Sequence, residues 1–354
     1  MSDSPRVVIV SPNWLGDAVM ALPAIQDVRR HFNSARIIVA ARPSVAPLYA
    51  LAPAVDEVLT LEWRGRVTRW PAMQRDVRRL QAASAGVALL LTNSFATAWL
   101  VKQAGIPKRL GYRRDLRGPL LTRAVPRPKG SRHQAAYYQH LTSALDMAAG
   151  PLEPEIVVPP EALAAARRLL RDGGWDETRP VVVFAPGAAY GKAKQWPPTH
   201  FAALVKQLVT EHDAQCAFVG STADSQTTTG ICRMVDSRQH DHLINLAGCT
   251  TLDVLAGVLS LASACVSNDS GAMHLAAAAG APVAALFGPT REYETSPLTR
   301  SGRRADVLLN PVWCRPCMLR ECPLDHGCMR GLEPARVHSA VTSLMESRIT
   351  NHES

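Results

Sequence analysis

The sequence has 354 residues, of which 47% are apolar and 19% charged, and its net charge is +9. This is the balance of a globular protein, and the length exceeds what one hydrophobic core usually serves, so we expect two domains. No segment reaches the ~18 uninterrupted apolar residues of a membrane-spanning helix, and the N-terminus MSDSPRVVIVS lacks the basic region of a signal peptide. We therefore expect a cytoplasmic protein.

Short apolar segments alternate with amphipathic ones along the first half of the chain. The predicted strands are RVVIVS (6–11), RIIVAAR (36–42), EVLTL (57–61) and GVALLLTN (86–93). Helices are predicted between them, over residues 21–32 and 73–84. Because the strands are apolar on both faces, the pattern predicts an α/β fold with a doubly wound parallel sheet covered by helices.

The positive charge is concentrated between Glu62 and Arg132, where sixteen Lys or Arg residues stand against three acids. Such asymmetry favours a polyanionic partner, namely an acidic substrate, an anionic membrane surface or nucleic acid. The charge distribution alone is equally consistent with a basic surface that is simply exposed to solvent. No helix-turn-helix, zinc-finger or RNA-recognition motif is present, so we do not expect a nucleic-acid partner.

The residue composition changes near the middle of the chain. We interpret 125–133 as a surface loop and the proline-rich segment 150–160 as an edge strand followed by a linker. Alternation then restarts and predicts a second doubly wound domain. Its predicted strands lie in 179–187, 214–221, 242–248, 264–271 and 281–290, and its predicted helices include one near 251–262 and a last one over 332–348.

The first candidate functional residue is Asp17, in the segment SPNWLGDAVMALP (11–23), where a strand ends and a helix begins. An acid at a helix start can simply complement the helix dipole, an effect of a few tenths to ~1 kcal/mol. It can also be a reactive carboxylate held at the carboxyl edge of a sheet. The residues of the segment alone leave both readings open.

The second candidate is NDSGAMH (268–274), which follows a predicted strand and opens an alanine-rich helix. The backbone N–H groups of Ser270, Gly271 and Ala272 would be free at the helix start and would suit a pyrophosphate. Asp269 precedes them and would suit sugar hydroxyls better than phosphate. The alternative is an ordinary Asp/Ser helix cap without a ligand.

Two further segments end predicted strands of the second domain. In FAPGAAYGKAKQWPPTHFAAL, Lys194 could neutralise a phosphate, and in LFGPT the residues Gly288 and Thr290 could complete a phosphate cradle. A solvated lysine and a plain Gly-Pro-Thr turn are the alternatives. No GxGxxG or GxxxxGK[ST] motif occurs, which argues against a dinucleotide dehydrogenase and a P-loop NTPase.

A cysteine-rich loop lies near the end of the chain, with Cys314, Cys317, Cys322 and Cys328. The first pair has metal-ligand spacing and His326 is nearby, but a second C-x2-C pair is missing. Reduced, packed thiols or an opportunistic disulfide are the default reading, with a structural metal as the alternative. We expect the loop to lie outside the chemistry. No D-x-D motif accompanies the candidate donor site, so we expect catalysis to need no metal and no cofactor.

These segments together resemble the ADP-heptose:lipopolysaccharide heptosyltransferases, and the cysteine loop favours the type II enzymes over type I. The similarity covers nearly the whole chain. Its anchors are VIVSPNWLGDAVMALPAI (8–25), FAPGAAYGKAKQWP (184–197), SNDSGAMHLAAAAGAPVAALFGPT (267–290) and WCRPCMLRECPLDHGC (313–328).

The resemblance implies a GT-B fold, in which two Rossmann-like domains face each other across a cleft. An acceptor-binding domain would span 1–160, an ADP-sugar-binding domain 161–331, and a last helical segment, 332–354, would pack back on the first domain. The implied reaction transfers L-glycero-D-manno-heptose from ADP-heptose to heptosyl-Kdo-lipid A with inversion at the anomeric carbon. The anionic acceptor would suit the basic stretch and would bring the enzyme into peripheral contact with the inner face of the inner membrane.

The resemblance also implies roles for individual residues. Asp17 would be the general base, Lys194 would contact donor phosphate, and Asp269 would bind heptose hydroxyls. The helix start at Ser270, Gly271 and Ala272 would hold the pyrophosphate, with His274 close to the nucleotide-sugar and Gly288 and Thr290 completing the donor site. On the acceptor side the implied residues are Asn13 and Gly16. Positions 189 and 190 carry hydroxyls in some relatives but are Ala and Tyr here, which puts side-chain donation to phosphate there in doubt.

Two alternatives share these features. One is another GT-B enzyme, either a transferase for a different nucleotide-sugar or an epimerase. The other is a binding protein for nucleotide-sugars or anionic glycolipids that lacks turnover.

Overall fold

The computed structural model describes residues 5–63 and 70–350. The chain divides into two compact units, Met1–Val157 and Val158–Ser354. The division falls close to the domain boundary that the sequence predicts after residue 160. Within the described ranges, no helix is both long and apolar enough to cross a membrane.

The first unit is built on a six-stranded parallel sheet with the order β3-β2-β1-β4-β5-β6. Its strands are β1 (Arg6–Val10), β2 (Arg36–Ala41), β3 (Glu57–Thr60), β4 (Val87–Leu90), β5 (Lys108–Tyr112) and β6 (Arg123–Val125). The four strands predicted for this half are confirmed. They are four adjacent strands of the six, and β1 and β2 among them are buried along almost their whole length.

Helices connect these strands, as parallel neighbours require. They are α1 (Leu15–Met20), α2 (Leu22–His31), α3 (Ala46–Ala50), α4 (Trp70–Ala82), α5 (Phe95–Gln103) and α6 (Gln134–Ser143). The edge strand predicted in 150–160 is wrong. This segment forms no strand, and the Val157 N–H instead donates to the Leu51 carbonyl at 2.8 Å. Its prolines lack the N–H groups that a sheet ladder needs.

The second unit repeats the architecture, with a six-stranded parallel sheet in the order β12-β11-β10-β7-β8-β9. Its strands are β7 (Val181–Ala185), β8 (Gln215–Phe218), β9 (Leu243–Asn245), β10 (Ala264–Asn268), β11 (Val283–Phe287) and β12 (Ala305–Leu309). β7, β10 and β11 are fully buried, which confirms the apolar runs predicted as central strands.

The helices of the second unit cover both faces of its sheet. They are α7 (Pro160–Asp172), α8 (Pro198–His212), α9 (Ser225–Met234), α10 (Leu252–Leu261), α11 (Gly271–Ala278), α12 (Glu292–Thr295), α13 (Gly327–Arg330) and α14 (Pro334–Thr350). α14 packs on α8 and on β10, β11 and β12, and its residues Val337, Val341 and Leu344 belong to the core of this unit. The expected packing of the last helix on the first domain stays a prediction.

Both sheets therefore have a point at which the direction of winding reverses, between β1 and β4 in the first unit and between β7 and β10 in the second. In open α/β sheets ligands bind at the carboxyl ends of the strands beside such a point. This places the segments after β1, β7 and β10 at the expected ligand-binding edges of their own sheets.

Candidate active site

Asp17 lies in the first turn of α1, just beyond the carboxyl end of β1, and is half-buried. The residue that caps α1, Trp14, makes no side-chain capping bond. A carboxylate in the first turn is favoured by the helix dipole, so the structural reading of Asp17 fits this position. The catalytic reading fits it equally, because the residue lies at the reversal point of the first sheet.

Two buried tyrosines, Tyr49 on α3 and Tyr138 on α6, lie close enough to Asp17 to feel its charge. Burial raises the pKa of both phenols above the usual value, and the negative charge of Asp17 raises it further. The hydroxyl of Tyr49 also lies 2.7 Å from Oγ of Ser11. Both phenols therefore stay neutral near the carboxylate. Sequence reasoning missed them because tyrosines in helices usually indicate core packing.

The two acceptor-side candidates lie in the same segment as Asp17. Asn13 is exposed, and its Oδ1 accepts a hydrogen bond of 2.7 Å from Nε of Arg42, which follows β2. Gly16 is the second residue of α1 and is half-buried. Asn13 thus holds a guanidinium group at the carboxyl edge of the first sheet, beside the start of α1.

The basic stretch between Glu62 and Arg132 is partly used inside the first unit, and its residues 64–69 lie outside the described ranges. Arg75 and Arg79 pair with Glu62 at 3.1 and 2.9 Å. Arg117 is fully buried and donates to the carbonyls of Thr92 and Tyr112. These arginines brace the fold, which supports the structural reading for part of the stretch.

In the second unit, Lys194, Asp269 and Thr290 meet at one point. Lys194 Nζ lies 2.5 Å from Oδ2 of Asp269, and the Thr290 hydroxyl donates to the same oxygen at 2.6 Å. The three residues follow β7, β10 and β11, which are neighbours in the sheet. The sequence-predicted donor residues are thus brought together at the carboxyl edge of this sheet.

The Lys194 and Asp269 side chains are only 12% and 6% exposed. Removing one partner of a nearly buried ion pair leaves the other as an uncompensated charge, which is strongly destabilising. The pair also neutralises Asp269, so a phosphate group at the adjacent helix start meets less repulsion than the bare sequence suggests. Lys194 provides a positive charge beside this helix start. Its movement to a phosphate group would release the carboxylate of Asp269 from the ion pair.

The start of α11 lies directly beyond Asp269. Ser270 occupies the N-cap position with an extended backbone but makes no side-chain capping bond, and its Oγ instead lies 3.2 Å from Oγ of Ser267. Gly271 and Ala272 form the first turn and are half-buried. The simple side-chain cap considered from the sequence is therefore wrong here. The first N–H groups of α11 are left for another acceptor.

The remaining donor candidates line the same loops. His274 is buried on α11, and Gly288 directly follows β11. A Cβ atom at Gly288 would overlap the side chain of Met329 on α13. Gly288 thus allows the close packing of α13, a structural requirement that is independent of any ligand.

Asn268 holds two of the site loops together, and sequence reasoning missed it. Its Oδ1 accepts from the Trp196 N–H at 3.1 Å, and its Nδ2 donates to the Pro186 carbonyl at 2.7 Å. The side chain is fully buried at the end of β10. The change from apolar to polar residues at the end of β10, in the segment ACVSNDS (264–270), is the sequence signal that could have found it.

The cysteine loop contacts the backbone of the site loops, while its expected place outside the chemistry stays a prediction. The guanidinium of Arg315 donates to the carbonyls of Gly288 and Thr290 at 2.5 and 3.1 Å. The Ala193 N–H donates to the Arg320 carbonyl at 3.0 Å. The cysteine loop therefore holds the backbone of two segments, the one that contains Lys194 and the one that contains Thr290.

Tyr190 lies between two cations. Lys194 Nζ is 4.8 Å and Arg320 Cζ is 5.1 Å from the centre of its ring, distances at which cations are attracted to an aromatic face. Its hydroxyl donates to the Met318 carbonyl at 2.8 Å. The tyrosine at this position thus orients Lys194 and anchors the cysteine loop. All four thiols of the loop are unbridged.

Two units, each with a six-stranded parallel sheet, are the architecture of GT-B glycosyltransferases, and the chain matches the structure of such an enzyme along nearly its whole length. The sequence model of glycosyltransferase family 9 (heptosyltransferase) matches residues 73–327 of the chain. The chain therefore belongs to this family.

Three relatives illustrate the similarity. The chain is 30% identical to lipopolysaccharide heptosyltransferase 2 of Salmonella typhimurium over 84% of its own length and 87% of that protein. The structure of the ADP-heptose LPS heptosyltransferase II of E. coli aligns with a TM-score of 0.82, at 28% identity, over 97% of this chain and 99% of that one. The E. coli heptosyltransferase WaaC, solved with ADP-2-deoxy-2-fluoro heptose, shares the fold at 18% identity, with a TM-score of 0.70 over 96% and 99% of the two chains.

Proposed function

We propose that the chain is an inverting transferase that moves L-glycero-D-manno-heptose from ADP-heptose to heptosyl-Kdo-lipid A, adding the second heptose of the lipopolysaccharide inner core. The observation that carries the proposal is the buried Lys194–Asp269 pair at the start of α11. Two of these relatives, the Salmonella typhimurium protein and the E. coli heptosyltransferase II, are named as type II enzymes, which supports the choice of acceptor.

The donor pyrophosphate binds at the start of α11 in this proposal. The N–H groups of Ser270, Gly271 and Ala272 provide a positive helix end, and Lys194 adds a full charge. As Lys194 moves toward phosphate, Asp269 is released to accept hydrogen bonds from heptose hydroxyls. Thr290, which already donates to Asp269 at 2.6 Å, keeps that carboxylate oriented.

Transfer then requires one displacement at the anomeric carbon. The bond from an acceptor hydroxyl oxygen to that carbon forms while the bond to the ADP phosphate oxygen breaks. Asp17 takes the hydroxyl proton, because an alcohol is a poor nucleophile until a base removes it. Lys194 and the α11 N–H groups stabilise the departing ADP anion. This scheme consumes no cofactor and needs no metal ion.

The acceptor binds to the first unit in this proposal. Arg113 and Arg114 border a cavity of about 620 Å³ beside the carboxyl end of β5. Their charges suit the Kdo carboxylate and lipid A phosphates of the acceptor, with Asn13 and Gly16 near the reacting hydroxyl. Because the acceptor is a lipid of the inner membrane, the reaction takes place at its cytoplasmic face with peripheral contact by the enzyme.

Release of ADP from ADP-heptose tests the proposal. Purified protein with a heptosyl-Kdo-lipid A acceptor should release ADP and add one heptose mass to the acceptor, and an acceptor without the first heptose should react far more slowly. UDP- and GDP-sugars should be inactive, whereas faster turnover with one of them would identify a different GT-B enzyme. Saturable ADP-heptose binding without ADP release, in the presence of acceptor, would favour the non-catalytic binding protein.

A further inference from the structure

A second cluster of ligating side chains lies where α8 and α14 pack together. Glu211 and His212 are the last two residues of α8, and His338 lies in the second turn of α14. One ligating atom of each residue lies within 4.8 Å of the others. Among the described residues, this is the one group of three or more His, Cys, Asp or Glu side chains whose ligating atoms come this close together.

One histidine of this cluster has a hydrogen-bond partner in the described part of the chain, whereas a buried nitrogen of the other has none. His338 Nε2 is a buried atom without a hydrogen-bond partner in the described part of the chain, although Oε2 of Glu211 lies 3.4 Å away. His212 Nε2 lies 3.1 Å from Oγ1 of Thr342, one turn beyond His338 on α14. Such an outer partner fixes the orientation of a ligating imidazole in metal sites.

The surroundings of the cluster favour a cation, and a neighbouring cavity gives the ion access to it. The cluster lies at the C-terminal end of α8, where the helix dipole is negative, and Asp213 follows directly. His212 and Thr342 also line a cavity of about 530 Å³. An ion and the water molecules that complete its coordination can therefore reach the cluster.

We propose that Glu211, His212 and His338 form a binding site for a divalent transition-metal ion, with Zn²⁺ as the best match. Two imidazoles and one carboxylate are a standard donor set for Zn²⁺, which leaves its fourth position to water. Ligands lie ~2.0–2.2 Å from the ion, so small side-chain rotations bring the three atoms closer on binding. The ion cross-links α8 to α14.

This site is remote from the proposed transfer chemistry of the same unit. α8 begins just after the Lys194 loop and runs its 15 residues to the opposite edge of the sheet, ~22 Å away at 1.5 Å per residue. The ion is therefore structural. Its presence should stabilise the packing of α14 without changing turnover, and the proposal is independent of the function proposed above.

Cobalt titration tests the site, because Co²⁺ replaces Zn²⁺ and its spectrum separates nitrogen and oxygen ligands from thiolates. Full-length protein, stripped of metal with a chelator, should bind one equivalent of Co²⁺ with d–d absorption and without a thiolate charge-transfer band. Zn²⁺ should displace it. His338→Gln and His212→Gln should each weaken binding at least ~10-fold, the smallest loss seen even for outer-shell partners. His31→Gln, an exposed histidine of the first unit, is the matched control and should bind as the wild type does.

Stability gives the second readout. Saturating Zn²⁺ should raise the Tm of the wild type and of His31→Gln but not of His338→Gln, since a ligand stabilises only a state that binds it. Unchanged Co²⁺ binding in His338→Gln, or an ion bound only with a thiolate band, would overturn the proposal, and the latter would place the ion in the cysteine loop. Absence of saturable binding in the micromolar range would overturn it as well.

Discussion

Lys194 forms an ion pair of 2.5 Å with Asp269, and neither side chain is more than 12% exposed. The pair joins the segment after β7 to the segment after β10, so it is both a structural link and the centre of the proposed donor site. The two roles can be separated, because the structural link needs both charges whereas the ADP part of the donor needs only the lysine.

Lys194→Met and Asp269→Asn should each lower the free energy of unfolding by ~3–5 kcal/mol, since each leaves a buried partner uncompensated. The double variant should regain part of this loss, which urea unfolding of all four proteins measures as a coupling energy. Additive losses in the double variant would mean that the pair is not coupled in solution. Only the variants that lack Lys194 should lose affinity for ADP.

Asp17→Asn should reduce turnover at least ~10²-fold, the scale of general-base catalysis, while ADP-heptose binding stays close to that of the wild type. Asp253→Asn is a matched control, because Asp253 is also a half-buried acid in the first turn of a helix. The control should change stability by ~0.3–1 kcal/mol and leave turnover unaltered. Near-normal turnover of Asp17→Asn would return Asp17 to the helix-dipole reading.

Arg315→Lys should raise the KM for the donor more than it lowers kcat. The guanidinium holds the carbonyls of Gly288 and Thr290 and also pairs with Glu292 at 2.9 Å, and a lysine cannot make this set of bonds. Steady-state kinetics with varied ADP-heptose measures the effect. Arg304→Lys alters an exposed ion pair with Asp306 and should leave both KM and kcat unchanged. An equal rise in KM in both variants would contradict a positioning role for Arg315.

Gly191→Ala should disturb the contact between the Lys194 loop and the cysteine loop. Its new Cβ would overlap the backbone of Arg320, whereas a Cβ at Gly230 in α9 meets open space. We expect Gly191→Ala to lower Tm and donor affinity. Gly230→Ala should be neutral or stabilise the helix by up to ~1 kcal/mol. Thermal unfolding and ADP titration check both, and a silent Gly191→Ala would show that the two loops separate readily.

The thiols should differ strongly in reactivity. Burial raises the pKa of Cys265 to about 12 and also raises that of Cys216, so both remain protonated and inert near pH 8. Cys249 is exposed and should react first with iodoacetamide. Mass spectrometry after brief labelling should find Cys216 and Cys265 unmodified until the protein is unfolded. Early modification of Cys265 would contradict the burial of β10.

The central strands of both sheets were predictable because parallel strands covered on both faces must be continuously apolar. β5, β6 and β12 were missed for the complementary reason. They lie at or next to a sheet edge and are only partly buried, and β5 begins with Lys108 and Arg109. Where half of a strand faces solvent, the apolar run that would identify it is interrupted.

The candidate site was predictable where chemistry follows strand order. Asp269 and Thr290 lie at the ends of predicted strands and Lys194 in the loop that follows one, and neighbouring parallel strands bring their carboxyl ends together. Their direct contact was not predictable, because it depends on the loops between strand and helix. The same holds for Asn268, Arg315 and Tyr190, which act through backbone carbonyls and amides that no sequence pattern specifies.

The placement of α14 affects the order in which the two units can mature during synthesis. The core of the second unit includes Val341, Leu344 and Met345 from this last helix, whereas the first unit is complete by Val157. A growing chain can therefore fold its first unit before the second unit is complete. The core of the second unit lacks Val341, Leu344 and Met345 until α14 has been synthesised, and the apolar surface exposed in this interval favours aggregation.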